Sequence, residues 1–121
     1  MSKIQAIRGT RDILPQEVGF WQQVETITSQ VLTNATYQEI RTPIFEQTSL
    51  FERGIGEATD VVGKEMYSFR DKGDRQITLR PEGTAGVVRS YIENKLFASG
   101  GIQRLWSVSY THLTLPTICS V

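Results

Sequence analysis

The sequence predicts an α+β fold, a mixed or antiparallel sheet with flanking helices. Two runs with helical spacing of apolar residues and several short alternating runs carry that reading. Their order is helix, strand, hairpin, helix, strand. That is not the regular alternation that builds a doubly wound parallel sheet.

Gln5-Ala6-Ile7-Arg8-Gly9 reads as a short strand or extended entry, and Thr10 to Pro15 as a turn into a helix. Proline is tolerated in a first helical turn because its missing N–H has no partner there anyway. The helix is expected from about Pro15 to Ala35. Phe20, Val24, Ile27 and Val31 fall on one stripe, which Trp21 and Leu32 widen. Asn34-Ala35-Thr36 matches a glycosylation acceptor, but so short a pattern occurs by chance, and nothing else points to secretion.

Tyr37 to Thr42 alternates and is expected as a strand stopped at Pro43, and Gln47 to Arg53 as a short helix. The glycine-bearing acidic stretch from Arg53 to Asp60 is not a dinucleotide loop. Thr59 stands where a third glycine is required, and no Val/Ile-rich strand precedes it. Met66 to Phe69 and Arg75 to Leu79 are expected as two strands joined through Asp71-Lys72-Gly73-Asp74, a hairpin signal. A second helix, about Thr84 to Phe97, places Ala85, Val88, Ile92 and Leu96 on one face. A further strand begins near Ile102 to Trp106. No internal repeat, low-complexity run or Pro/Gly/Ser-rich linker divides the chain.

The final segment is of a different kind. Val108-Ser-Tyr-Thr-His-Leu-Thr-Leu-Pro-Thr117 resembles one reading frame of a transposase-based sequencing adapter. Ile118-Cys119-Ser120 would then be the variable index, Val121 the last codon, and Ser107 a hybrid codon at the junction. Residues 1–107 are accordingly expected to be the native part, the beginning of a longer protein, and 108–121 a non-native tail. Such additions do not belong in fold reasoning.

That division sharpens the composition. The only histidine, His112, and the only cysteine, Cys119, both lie in the tail. The native part therefore has no Cys nucleophile, no His base and no His/Cys metal site, and no metal is expected in it. It forms no disulfide, which fits a reducing compartment. Thirteen basic and 13 acidic residues balance, so no overall basic field attracts nucleic acid. No apolar run approaches the ~20 residues of a membrane helix. The first residues lack the apolar region of a signal peptide. A soluble cytoplasmic protein with no membrane partner is expected.

Chemistry concentrates at Arg80-Pro-Glu-Gly-Thr-Ala85, where a predicted strand turns into a predicted helix. A carboxylate held on rigid backbone, Glu82, can pair an ammonium group by a charge-assisted hydrogen bond. Gly83 lets the chain approach whatever is bound. The plainer reading is a helix start, with Thr84 as its cap and Glu82 favoured by the positive end of the dipole. The six residues alone favour that plainer reading. Arg80 is read either as a substrate-side cation or as an anchor of the corner through a salt bridge. Phe20, Trp21 and Trp106 read as core or interface, Glu57 and Asp60 as a solvated loop face, and Arg8 and Arg11 as surface charges.

Several segments in order resemble bacterial histidyl-tRNA synthetase, a class II aminoacyl-tRNA synthetase, over residues 4 to 106. They are Ile7-Arg-Gly-Thr-Arg-Asp-Ile-Leu-Pro15, Tyr37-Gln-Glu-Ile-Arg-Thr-Pro-Ile-Phe-Glu46, Phe51 to Val62, Lys64-Glu-Met-Tyr67, Leu79 to Ala85 and Gln103-Arg-Leu-Trp106. The resemblance implies part of a class II catalytic domain. It implies that Glu82, Gly83 and Thr84 bind histidine, the first and third at its α-ammonium. It implies a dimer interface at the class II motif 1 residues Tyr37, Ile40, Arg41 and Pro43. The whole enzyme would use ATP and Mg²⁺ to form histidyl-adenylate, then charge tRNA(His), as a homodimer. This stretch would hold no bound cofactor and no catalytic residue, and would be inactive alone. Two other readings stand beside it. One is the regulatory subunit of ATP phosphoribosyltransferase, which typically carries Asp in place of Glu82 and departs at Gly83-Thr84. The other is a non-catalytic dimerisation module.

Overall fold

The computed structural model describes residues 3–55 and 66–108. The chain divides into two compact units, one formed by residues up to Glu39 with the segment from Arg104, the other by Ile40–Gln103.

In the first unit the entry is extended, with a turn closed by Thr10 N–H donating to Ile7 O at 2.9 Å. Helix α1 spans Pro15–Asn34 with Pro15 in its first turn, as the sequence predicts. Arg11 donates to both oxygens of Glu17 at 3.0 and 2.9 Å across that first turn. The helix stops by a Schellman motif. Thr36, at φ 68, donates from its N–H to Thr33 O, and Tyr37 N–H donates to Leu32 O. A β-branched residue thus occupies the left-handed position usually given to glycine. The strand expected over Tyr37 to Thr42 reduces to β1, Gln38–Glu39. It pairs in parallel with β5, Leu105–Trp106, in the register Gln38 with Leu105 and Glu39 with Trp106.

The second unit is built on three antiparallel strands in the order β2 (Phe45–Gln47), β4 (Gln76–Leu79), β3 (Ser68–Arg70). The sequence reading missed β2. It begins two residues after Pro43 and runs without a turn signal into α2, Thr48–Ile55. The hairpin forms as expected, but Asp74 and not Gly73 takes its left-handed position, at φ 61. Asp71 rescues that turn by accepting from the N–H groups of Gly73 and Arg75 and from Arg75 Nε.

Registered residues share a face of a sheet. Glu46, Thr78 and Ser68 lie on one face; Phe45, Leu79, Ile77 and Phe69 lie on the other. Phe45, registered with Leu79, and Phe69, registered with Ile77, meet edge to face across β4 with centroids 6.5 Å apart. The opposite face is a run of hydroxyls. Thr78 is fully buried and bonds Thr48 and Ser68, each at 2.7 Å. Phe51 of α2 is 2% exposed and is the most buried hydrophobic side chain among the described residues.

Helix α3 spans Thr84–Glu93, shorter than the expected run to Phe97. Lys95 enters the left-handed region at φ 53, and Leu96–Ser99 follows as a 3-10 turn. Leu96 is therefore off the helix face that the spacing assigned to it. The described elements match the expected α+β class, one pair parallel and three strands antiparallel.

Candidate functional site

The corner between β4 and α3 is anchored before it turns. Arg80 N–H donates to Ile44 O at 2.9 Å, continuing the β2–β4 ladder by one residue. Its guanidinium then reaches back over β2. Nη1 donates to Thr42 O at 3.1 Å and, more weakly, to Pro43 O at 3.4 Å. Of the two roles read for Arg80, the anchor is the one with contacts here. Its acceptors are backbone carbonyls rather than a carboxylate. Pro81 follows, with φ fixed by its ring.

Glu82 comes next and folds onto the start of α3. One carboxylate oxygen accepts from Thr84 N–H, and both accept from Ala85 N–H at 3.1 and 3.2 Å. These are the first amides of the helix, which have no partner within it. The sequence reading had Thr84 as the cap. In the structure Gly83 holds the cap position, Thr84 is the first helical residue, and the carboxylate two residues back satisfies the free amides. Glu82 and Gly83 are partly buried and Thr84 is exposed.

A second tie lies one turn further along α3. Arg89 pairs with Glu46 on β2 through Nε to Oε1 at 2.8 Å and Nη2 to Oε2 at 3.1 Å. Its Nη1 also bonds Glu93. The Glu46 side chain is only 8% exposed and that of Arg89 29%. Desolvation is the largest single influence on the Arg89 pKa and lowers it, but hydrogen bonding and charge attraction to Glu46 and Glu93 together leave the value raised. Gly86 makes the approach possible. A Cβ there would stand 3.0 Å from Glu46 Oε2 and 3.2 Å from Thr42 Oγ1. Glu46 closes the Tyr37 to Glu46 segment that carries the resemblance, but the sequence assigns no role to it, to Gly86 or to Arg89.

The remaining candidates lie elsewhere. Tyr37, 38% exposed, closes α1. Ile40 is partly buried, and Arg41 and Pro43 are exposed, in the link to β2. Arg8, Arg11 and Asp12 are exposed. The loop residues Glu57 and Asp60, and His112 and Cys119, lie outside the described residues. Among the described residues no three His, Cys, Asp or Glu side chains come together to hold a metal ion.

A profile of the family described as Histidyl-tRNA synthetase matches residues 9–117. The chain is 74% identical over 106 residues to a histidine–tRNA ligase of Rippkaea orientalis, covering 88% of this chain and 25% of that protein. It is 77% identical over 106 residues to that of Synechocystis sp., covering 24% of it. The chain thus spans about a quarter of the length of the curated relatives it matches. Among solved structures, apo histidyl-tRNA synthetase of S. aureus superposes with a TM-score of 0.73 at 48% identity, over 87% of this chain and 24% of that one. An ATP phosphoribosyltransferase regulatory subunit/histidyl-tRNA synthetase from Bacillus halodurans superposes at 0.71 over 95% of this chain and 29% of that one, and at 19% identity it shares the fold alone. The matched profile, the superposition on histidyl-tRNA synthetase and this degree of identity agree: the chain belongs to the histidyl-tRNA synthetase family.

Proposed function

We propose that this chain is part of the catalytic domain of a class II histidine–tRNA ligase, and that its β4–α3 corner holds the α-ammonium of histidine. The observation that carries the reading is the Glu82 carboxylate. Two backbone N–H donors fix its orientation, yet a carboxylate offers about four acceptor positions. An ammonium can occupy those that remain without displacing the cap. The Thr84 hydroxyl is read as a further acceptor for the ammonium, and Gly83 as the residue that lets the amino acid approach.

In the reaction the histidine carboxylate attacks the α-phosphorus of ATP, and pyrophosphate leaves with the electrons of the broken bond. A hydroxyl of the terminal ribose of tRNA(His) then attacks the histidyl carbonyl carbon, and AMP leaves with the electrons of the broken acyl–phosphate bond. The part of these residues is to bind and orient the amino acid, which lowers the barrier by positioning. Mg²⁺ supplies charge neutralisation at the phosphates when bound. Among the described residues no three His, Cys, Asp or Glu side chains come together to hold it. Tyr37, Ile40, Arg41 and Pro43 are proposed as dimer interface in a cytoplasmic homodimer. No helix among the described residues is long and apolar enough to cross a membrane. Residues 108–121 are read as adapter-derived. The encoding DNA should follow an adapter continuously from within codon 107, and unrelated synonymous codons would sink that reading.

The test of function is pyrophosphate exchange in a full-length ligase of the family carrying residues 3–106 of this chain in place of its own segment. Glu82→Gln keeps the size and removes the charge. Losing a charge-assisted hydrogen bond of roughly 1.5–3 kcal/mol costs about ten- to a hundredfold in histidine-dependent exchange. The KM for ATP is unchanged. Unchanged histidine kinetics would remove Glu82 from the site. The 121-residue chain alone is expected to support no exchange.

A further inference from the structure

We infer that Arg80 is a positioning residue for histidine, acting through Glu82 by clamping the corner onto the backbone of Thr42 and Pro43. This rests on the reading of Glu82 given above. Three observations lead to it. First, the guanidinium is spent on carbonyl oxygens, Thr42 O at 3.1 Å and Pro43 O at 3.4 Å. A cation bound this way, partly buried, is tied to the chain just before β2. Second, the main chain of Arg80 is held as well, its N–H on Ile44 O at 2.9 Å. Backbone and side chain of one residue thus grip three successive carbonyls, 42 to 44. Third, the link from Arg80 to Glu82 is a single proline. Its ring fixes φ, and a residue before proline is confined to extended conformations. Orientation set at Arg80 is therefore transmitted to Glu82 with little slack.

Downstream of Glu82, the described residues hold the corner differently: the carboxylate itself caps α3, Gly86 packs closely on Glu46 and Thr42, and Arg89 pairs with Glu46. Without the Arg80 clamp, Glu82 would remain a cap but would lose its hydrogen-bonded tether to the backbone of Thr42 and Pro43. Errors of about an ångström in the placement of binding groups cost up to roughly a hundredfold in rate. Arg80 therefore makes no contact with substrate and acts on histidine alone.

The experiment is a double-variant cycle in the same full-length ligase, read by pyrophosphate exchange. Arg80→Met keeps the aliphatic stem and removes the donors. It should raise the KM for histidine about tenfold or more, with the KM for ATP unchanged. Combined with Glu82→Gln, it should add less than about twofold, because the group it positions is already disabled. Arg80→Lys retains a cationic donor for the carbonyls and should recover most of the loss. A purely structural role gives a different pattern: kcat falls with the active fraction, both KM values hold, and the loss multiplies in the double variant. That pattern overturns the inference, as does a lysine variant as impaired as the methionine variant. If Glu82→Gln alone changes nothing, the reading of the corner fails first. If Glu82→Gln raises the histidine KM and Arg80→Met does not, only the role of Arg80 fails.

Discussion

Arg89 on α3 meets Glu46 on β2 in a two-point ion pair, Nε to Oε1 at 2.8 Å and Nη2 to Oε2 at 3.1 Å, on the hydroxyl-lined face of the sheet. The carboxylate is nearly out of solvent, so its partner cannot be removed without penalty. Breaking a buried pair from one side costs about 3–5 kcal/mol. Arg89 is partly exposed, which brings the expected cost of Arg89→Met down to about 2–4 kcal/mol. Hydrogen exchange of the α3 amides should accelerate accordingly. Glu93→Gln removes the exposed half of the network and should cost no more than about 0.5 kcal/mol.

Gly86 and Gly19 both interrupt helices, and the same substitution should act on them in opposite directions. Nothing lies within 4 Å of a Cβ at Gly19, so Gly19→Ala should stabilise α1 by about 0.5–1 kcal/mol. At Gly86 the new methyl meets Glu46 Oε2 at 3.0 Å and Thr42 Oγ1 at 3.2 Å. Glu46 cannot step aside without loosening Arg89. Overpacking of about 1–3 kcal/mol outweighs the gain in helix propensity. Thermal melts of the two variants should therefore shift in opposite directions.

These residues also show where the sequence was readable. The long helix, the hairpin and the strand-to-helix corner announce themselves through spacing, turn residues and proline. The inner side of the second unit does not, because its contacts are Glu46, Thr48, Thr78 and Arg89 rather than an apolar stripe. Periodicity arguments look for hydrophobic residues on the packed face. Here Phe45 and Phe69 lie on the opposite face, 46% exposed each. β2 was missed for that reason, and because no turn separates it from α2. The cap at Glu82 was misassigned to Thr84 because a side chain two residues before the helix reached back to its amides. The end of α3 was overrun because Lys95 adopts a left-handed conformation that its sequence does not signal.

Thr36 offers a stabilising change. A β-branched residue at φ 68 completes the Schellman stop of α1. The left-handed region costs a non-glycine residue roughly 1–2 kcal/mol. Its hydroxyl contacts, Ala35 O and Arg104 Nη1, are exposed and weak. Thr36→Gly should therefore raise the helicity of a peptide covering residues 12–38, with about 1 kcal/mol gained at the carboxyl end. A fall in helicity would mean that the hydroxyl bond to Ala35 O, the one the peptide retains, outweighs the backbone strain.

Asp71 makes the hairpin sensitive to acid. Its pKa is lowered, first by the backbone N–H of Arg75, against some desolvation, and further by the Arg75 side chain and the Gly73 N–H. A carboxylate with a depressed folded pKa binds fewer protons folded than unfolded. The stability it contributes is present in full above its unfolded pKa of about 3.9. It is lost as pH falls through the lower folded value. Amide exchange at Asp74 and Arg75 should be protected at pH 5 and progressively lose that protection on acidification below pH ~4. Asp71→Asn should flatten that pH dependence. A hairpin equally protected across the range would mean that the turn is held by its backbone bonds alone.

The apolar stripe of α1 leads to the last expectation. Phe20, Val24, Ile27 and Val31 are 72, 59, 52 and 61% exposed, although their spacing marks them for burial. Each exposed Å² of such surface is worth about 25 cal/mol when covered. A contiguous apolar strip along a helix therefore favours self-association or dye binding in the isolated chain. Sedimentation should show mass rising with concentration, and a hydrophobic dye should bind with enhanced fluorescence. Val24→Lys with Ile27→Glu places an opposite-charge pair in the middle of the stripe and leaves the helix backbone undisturbed. It should abolish most of both signals while α1 keeps its circular dichroism. A wild-type chain that sediments as a clean monomer, binds no dye and melts sharply would show that the stripe is covered within the chain itself.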